Sequence, residues 1–233
     1  MNDAHKADIL GDITKSTGRK YLYHFTRVRN LPVIAHFDAL MSSKYLHPEL
    51  VGERRTEARV VNYQNYAVTI NSHLRIHASM FDPATTQEQF RDCLDRHVFF
   101  WPTLRDVQKM MDTYTRREPD EGFAVLQFEA YPLLAAHFAN VKMSKYDSGS
   151  SPRFPGKSTY KKSPEILLPI DSFKRKLLPI VPTKASEIKE ILVEERVSHL
   201  SHFLRAIYVK NTSEIPDCWR ELAESISEIT PQK

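Results

Sequence analysis

Apolar positions along the chain fall into short clusters separated by charged or proline-containing stretches, and the spacing inside each cluster predicts its element. Tyr21–Phe25 (YLYHF) alternates and is rich in β-forming aromatic residues, so it reads as a strand, with residues 1–18 as a lead-in. Asn30 offers an N-cap, Pro32 suits a first turn, and Ile34, Phe37, Leu40 and Met41 recur at helical spacing, which predicts a short amphipathic helix. Residues 49–61 are polar and densely charged and read equally as helix or loop. Tyr66–Ile70 predicts a strand, and Thr86–Arg96 a helix with Phe90, Cys93 and Leu94 inward. His97–Trp101 (HVFFW) reads as a buried strand closed by Pro102. Thr103 then caps a helix with Leu104, Val107, Met110, Met111 and Tyr114 on its buried face.

Further along, Phe123–Phe128 predicts a strand and Ala130–Phe138 a short helix or turn. Ser144–Ser163 carries Ser, Gly, Pro, Lys and Tyr without apolar periodicity and reads as a long loop, of the kind that is functional or disordered inside a compact domain. Glu165–Pro169 (EILLP) begins another strand. Ala185–Val197 is expected to be a helix, Arg205–Lys210 a strand and Pro216–Ile229 a C-terminal helix. Short strands and helices without regular βαβ alternation point to an α+β fold.

Composition narrows the class. The chain has 233 residues, 41% of them hydrophobic, which is too apolar for a disordered chain and fits one domain with a sizeable core. The apolar runs are far shorter than the roughly 18–20 residues of a membrane span, and Met1–Gly11 lacks the pattern of a secretory signal. Cys93 and Cys218 make no disulfide framework and no metal-ligand spacing, so a reducing, cytoplasmic setting is expected. Net charge is +4, but between Lys142 and Lys184 ten basic residues face three acids, leaving the remainder at −3. A patch of that kind is either a solvated flexible loop or a surface for polyanions.

Standard frameworks are missing: there is no glycine-rich phosphate loop, no GxSxG and no GxGxxG after a strand. His73 and His77, four apart, and His199 and His202, three apart, have no HExxH context, so no metal is expected. Four segments stand out instead. YLYHFT puts His24 and Thr26 on one face of an extended chain. GERRTEAR sets Arg54 and Arg55 among acids, HVFFW concentrates rings, and Glu165 is a lone acid at the head of an apolar strand. Singly, each has an ordinary explanation: a core histidine, a solvated charged face, plain core, a strand-end charge.

In their order and spacing these blocks resemble the DarT-type ADP-ribosyltransferases, toxins that attach ADP-ribose from NAD to nucleic-acid bases. The likeness runs from about Tyr21 to Tyr208. Tyr23-His24-Phe25-Thr26, followed by Asn30-Leu31-Pro32, looks like that family's opening strand and helix, whose His and Thr hold NAD. Gly52-Glu53-Arg54-Arg55 looks like its catalytic arginine segment, with Arg55 at the matching position and Arg54 one register away. Val98-Phe99-Phe100-Trp101-Pro102 is similar to the block that walls the nicotinamide, and Pro164-Glu165-Ile166-Leu167-Leu168 to the strand carrying the catalytic glutamate. The chain departs from the family in a longer Arg59–His97 segment and in Arg27, where many relatives place a second His.

The resemblance implies an ADP-ribosyltransferase-like mixed sheet, NAD as co-substrate, Glu165 and Arg55 as catalytic residues, and NAD contacts from His24, Thr26, Arg54, Phe99, Phe100 and Trp101. It also implies acceptor recognition by the loop before Glu165. There Lys145, Arg153, Lys157, Lys161 and Lys162 interleave with Tyr146, Phe154 and Tyr160, a pattern suited to the bases and phosphates of single-stranded DNA or RNA. A toxin with an antitoxin partner, with a role in phage defence, is the leading expectation. A protein ADP-ribosyltransferase or NAD glycohydrolase, and a catalytically silent nucleic-acid-binding module, stand as alternatives.

Overall fold

Local capping chemistry sets several element ends. Thr86 Oγ1 accepts from Gln89 N at 3.1 Å while Gln89 Oε1 accepts from Thr86 N at 2.9 Å, a complete capping box that starts a helix burying Phe90 and Leu94. Thr103 Oγ1 accepts from Asp106 N in the same way at the head of the next helix. In a computed structural model describing residues 3–230, the elements in chain order are α1 (Asp3–Thr14), β1 (Tyr21–Arg27), α2 (Leu31–Phe37), β2 (Ala39–Met41), α3 (Ser43–Leu46), β3 (Arg59–Tyr63), β4 (Tyr66–Ile70) and α4 (Gln87–Asp95). There follow β5 (His97–Phe100), α5 (Leu104–Arg117), β6 (Phe123–Glu129), α6 (Ala130–Ala136), β7 (Val141–Ser144), β8 (Leu167–Pro169), β9 (Glu190–Glu194), β10 (Arg196–Ser198), β11 (Leu204–Val209) and β12 (Ala223–Ser225). This is the expected α+β architecture, and its residues group into two compact units.

Among the described residues, the first unit comprises 3–40, 99–137 and 197–230. Its sheet runs β1-β6-β11-β12: β6 is antiparallel to both β1 and β11, and β12 adds in parallel to β11, so the sheet is mixed. Phe25 of β1 packs between Tyr114 of α5 and Phe123 of β6, with ring centroids 5.4 and 4.8 Å away. Leu126 and Phe128 of β6 are fully buried, as a central strand requires.

The second unit comprises residues 41–98 and 138–196. In its sheet β7 is antiparallel to β8 and β9, and β5, whose His97 and Val98 belong to this unit, borders β9. In the same unit β3 and β4 form a hairpin whose two turn residues, Gln64 and Asn65, both have positive φ, 47° and 71°. That combination matches the strand twist of a two-residue hairpin. No helix among the described residues is long and apolar enough to cross a membrane.

The structure departs from the sequence expectations in five places. Residues 3–14 are helical rather than a plain lead-in, with Ile9, Leu10 and Ile13 buried and the helix packed on α6. The second helix stops at Phe37, because Asp38 turns left-handed (φ 44°) and sends Leu40 and Met41 into β2. Ala185–Val197 is β9 and β10, not a helix. Ile191, Leu192 and Val193 are buried on both faces of a central strand, and such a run carries no period that separates strand from helix. Pro216–Ile229 consists of 3₁₀ turns around β12, whose backbone pairs with β11. Finally, β8 starts only at Leu167, and Glu165 sits before it in the 3₁₀ turn Pro164–Ile166.

Candidate active site

The opening strand places His24 where its Nδ1 donates to Phe99 O at 2.8 Å, which leaves Nε2 as an acceptor. Burial is the main influence on this imidazole and pushes it down to about 4, against the upward pull of the Phe99 carbonyl, so it is neutral at pH 7. Thr26, two residues on, is buried. Tyr23 and Trp101 exchange backbone hydrogen bonds at 2.9 and 2.8 Å, which docks the HVFFW segment against the opening strand. Of the three rings expected at a nicotinamide wall, Phe100 is fully buried and packs edge-on against Phe128 at 5.8 Å, and Trp101 is also buried. Phe100 is core, and the half-buried Phe99 is the most exposed of the three.

The arginine segment is organised by a residue the sequence did not single out. Asp95, the last residue of α4, is 3% exposed, and its carboxylate accepts four hydrogen bonds from three residues. Oδ1 accepts from Arg55 Nη2 at 2.6 Å and from His73 Nε2 at 3.2 Å; Oδ2 accepts from Arg55 Nη1 at 3.1 Å and Gly52 N at 3.2 Å. His73 Nδ1 in turn accepts from Arg55 N at 3.1 Å, which fixes the neutral tautomer. Burial alone would push the Asp95 carboxyl up, but the hydrogen bonds from His73 and Arg55 and the charge of Arg55 outweigh it and hold the group below its usual value.

The remaining Arg55 donors go to Asn71 O, Leu50 O and Ser43 Oγ, so all five N–H groups are engaged inside the protein. The expectation that the Arg55 fork is open to a ligand therefore meets a guanidinium that is 3% exposed and bound to a carboxylate. Arg54, its neighbour, is exposed. Gly52 makes the turn possible: its φ is +74°, and an added Cβ would stand 3.1 Å from the Glu88 side chain and 3.3 Å from the Glu88 carbonyl. Among the described residues no three His, Cys, Asp or Glu side chains are grouped so as to hold a metal ion.

Glu165 is exposed and lines a cleft of about 500 Å³ together with Asp82, Ala84, Thr85, Gln89, Ser163 and Pro164. Neither Arg54 nor Arg55 is in that lining. Proline restricts the backbone just before the carboxylate, and Ile166, wholly buried just after it, pins the turn, with Ile166 N donating to Ser163 O. The loop leading to it divides its cations sharply. Lys145 pairs with Glu187 at 3.2 Å, Lys161 donates to Ser79 O at 2.6 Å, and Lys162 is wholly buried. Lys162 is thus withdrawn from the loop surface, contrary to the expectation that it tracks phosphates.

Tyr146 and Tyr160 stack on each other with centroids 3.5 Å apart and planes 9° off parallel. The exposed face of the loop is Phe154, 59% exposed, with Arg153 and Lys157 over its ring at 5.4 and 5.8 Å. An exposed ring between two cations can stack on a base while the cations meet phosphates.

The solved structures similar to this chain include three of DarT from Thermus sp. 2.9. The complex with ADP-ribosylated ssDNA shares 12% identity over 91% of this chain and 97% of that one, with a TM-score of 0.40. The complex with carba-NAD+ gives 12%, 85%, 86% and 0.37, and that with NAD+ 15%, 84%, 84% and 0.36, in the same order. No curated protein matches. The opening strand, the Asp95-centred arginine segment and the Glu165 turn all fall between residues 20 and 204, the span that matches the model described as "Family of unknown function (DUF7002)", and the chain belongs to that family.

Proposed function

We propose that this protein is an NAD-dependent ADP-ribosyltransferase that modifies a base of single-stranded nucleic acid. The observation that carries the reading is Glu165: an exposed carboxylate on the rim of a cleft, held in a pinned turn directly after a loop that presents a ring between two cations. That is the position the sequence resemblance assigns to the catalytic glutamate.

The chemistry needs little more than such a group. The glycosidic bond of NAD breaks with its electron pair going to nicotinamide, which leaves neutral, and the ribose carbon becomes oxocarbenium-like. A bond forms between that carbon and a nitrogen of the acceptor base. Glu165 hydrogen-bonds the ribose hydroxyl, stabilises the developing cation and takes the proton the base nitrogen loses. His24, neutral and with Nε2 as an acceptor, and Thr26 are the polar groups that the sequence resemblance assigns to NAD. Arg54 supplies positive charge to the pyrophosphate, while Arg55 holds the segment in place through Asp95.

Arg153, Phe154 and Lys157 engage the acceptor strand. Base amino nitrogens are engaged in a duplex, so the acceptor is unpaired. DNA is preferred over RNA in this reading only as the acceptor of the DarT structures. An enzyme of this kind is toxic to its host, and a neutralising partner belongs to the reading.

The test is incubation with labelled NAD and single-stranded DNA, single-stranded RNA or protein acceptors, followed by mass spectrometry of released nucleosides. Label on a nucleoside is expected. Label confined to protein, or no NAD turnover at all, overturns the proposal.

A further inference from the structure

The withdrawn lysine of the loop has a place of its own. Lys162 Nζ donates to Asp147 O and Ser148 O, each at 2.7 Å, and so ties the end of the loop to its beginning. From the other side Glu190, the first residue of β9 and 2% exposed, accepts from Ser148 N at 3.0 Å and Ser148 Oγ at 2.6 Å. Both groups thus hold the chain at residues 147–148. The rings of Phe90 and Tyr160 stand 5.8 and 6.0 Å from the ammonium and close the cage. Burial drives the lysine down to about 8 and the glutamate up to about 8.

Two buried ionisable groups are a poor way to gain stability, since apolar side chains of similar size commonly do as well or better. Their value lies in fixing one arrangement of the chain. The backbone of Lys162 shows which one: its N–H donates to Met80 O at 2.6 Å and its C=O accepts from Asp82 N at 3.1 Å. Asp82, Ser163, Pro164 and Glu165 all line the cleft, and the two segments that carry them are tied together at this residue.

We infer that Lys162 and Glu190 form a buried latch that closes the acceptor loop on itself and sets the position of the Glu165 carboxylate. They are positioning residues, and their role rests on the reading of Glu165 as the catalytic acid–base group. Loop and carboxylate are thereby joined into one rigid piece, so that the strand bound by Phe154 and the sugar served by Glu165 stay in register.

The experiment compares the parent protein with Lys162→Met and Glu190→Gln, measuring amide hydrogen exchange by mass spectrometry and steady-state kinetics with NAD and an oligonucleotide. In Lys162→Met, peptides covering Asp82, Ser148 and Ile166 exchange faster while those of the β1-β6-β11 sheet do not. The kcat falls by about 10²-fold, the scale expected for an ångström of misplacement, with KM for NAD within twofold. Glu190→Gln, which keeps an acceptor for Ser148, shows the same pattern more weakly. Unchanged exchange at those three amides, a kcat loss that only tracks the unfolded fraction, or a rise in KM for NAD in place of the kcat loss overturns the latch. If the parent protein turns over no NAD, the functional reading fails, while the exchange comparison still decides whether the latch exists.

Discussion

Replacing Arg55 by alanine separates two roles that the sequence leaves entangled. Arg55 and Asp95 are each 3% exposed, and the guanidinium supplies two of the four hydrogen bonds that the carboxylate accepts. Removing it leaves a buried carboxylate facing only Gly52 N and His73, and breaking a buried pair in this way costs about 3–5 kcal/mol. For a chain of this length that corresponds to a fall of roughly 6–20 °C in melting temperature. Arg54→Ala, at an exposed position, shifts stability by no more than about 0.5 kcal/mol. In the proposed role of Arg54 at the pyrophosphate of NAD, the substitution removes a charge-assisted contact of about 1.5–3 kcal/mol and weakens NAD binding roughly 10- to 100-fold. Thermal unfolding followed by circular dichroism, with NAD titration by calorimetry, reads both quantities. Arg55→Lys does not restore stability, because an ammonium cannot bridge both carboxylate oxygens as the planar fork does. An Arg55→Ala protein that melts like the parent yet loses NAD, beside an Arg54→Ala protein that binds normally, refutes the reasoning: the Arg55 fork would then belong to the ligand.

Other outcomes follow from the same geometry. Glu165→Gln keeps the melting temperature of this exposed position and lowers the rate of base modification by about 10²–10⁴-fold, measured with saturating NAD. Arg153→Ala and Lys157→Ala each reduce the slope of log affinity against log salt for a single-stranded oligonucleotide by about 0.7, whereas Phe154→Ala weakens binding by about 1–3 kcal/mol and leaves the slope alone. Burial pushes His24 and His97 down to about 4, so between pH 6.5 and 4 the unfolded chain binds protons that the folded one does not. Stability is therefore whole above pH 6.5 and falls as pH drops through that window, by at most about 1.4 kcal/mol per unit for each histidine, and urea midpoints at pH 7 and 4.5 measure it. Thr86→Ala costs about 1 kcal/mol by removing the capping-box acceptor at the head of α4.

Local signals carried well where their cause is local. Thr86 and Thr103 head helices because a side-chain oxygen satisfies an orphan N–H three residues on, and that geometry is complete within one turn. Tyr21–Arg27 and Phe123–Glu129 are legible as strands through aromatic and β-branched content, and they pair with each other over seven residues. Residues 185–197 and 216–229 are misread because their apolar spacing is compatible with a helix, and only β7 and β11, outside each segment, supply the backbone partners that make Glu190–Glu194 and Ala223–Ser225 strands.

The candidate site divides along the same line. The sequence alone marks Glu165, the arginine pair and the cation-and-ring loop as unusual, since residue type and order are all that such marks require. Which arginine is buried is decided by Asp95, forty residues away from Arg55, and which lysine leaves the surface is decided by Ser148 and Asp147 on the far side of the loop. Burial is a property of the assembled chain: a charge enters the interior only where distant partners meet it, and those partners come together only in the folded state.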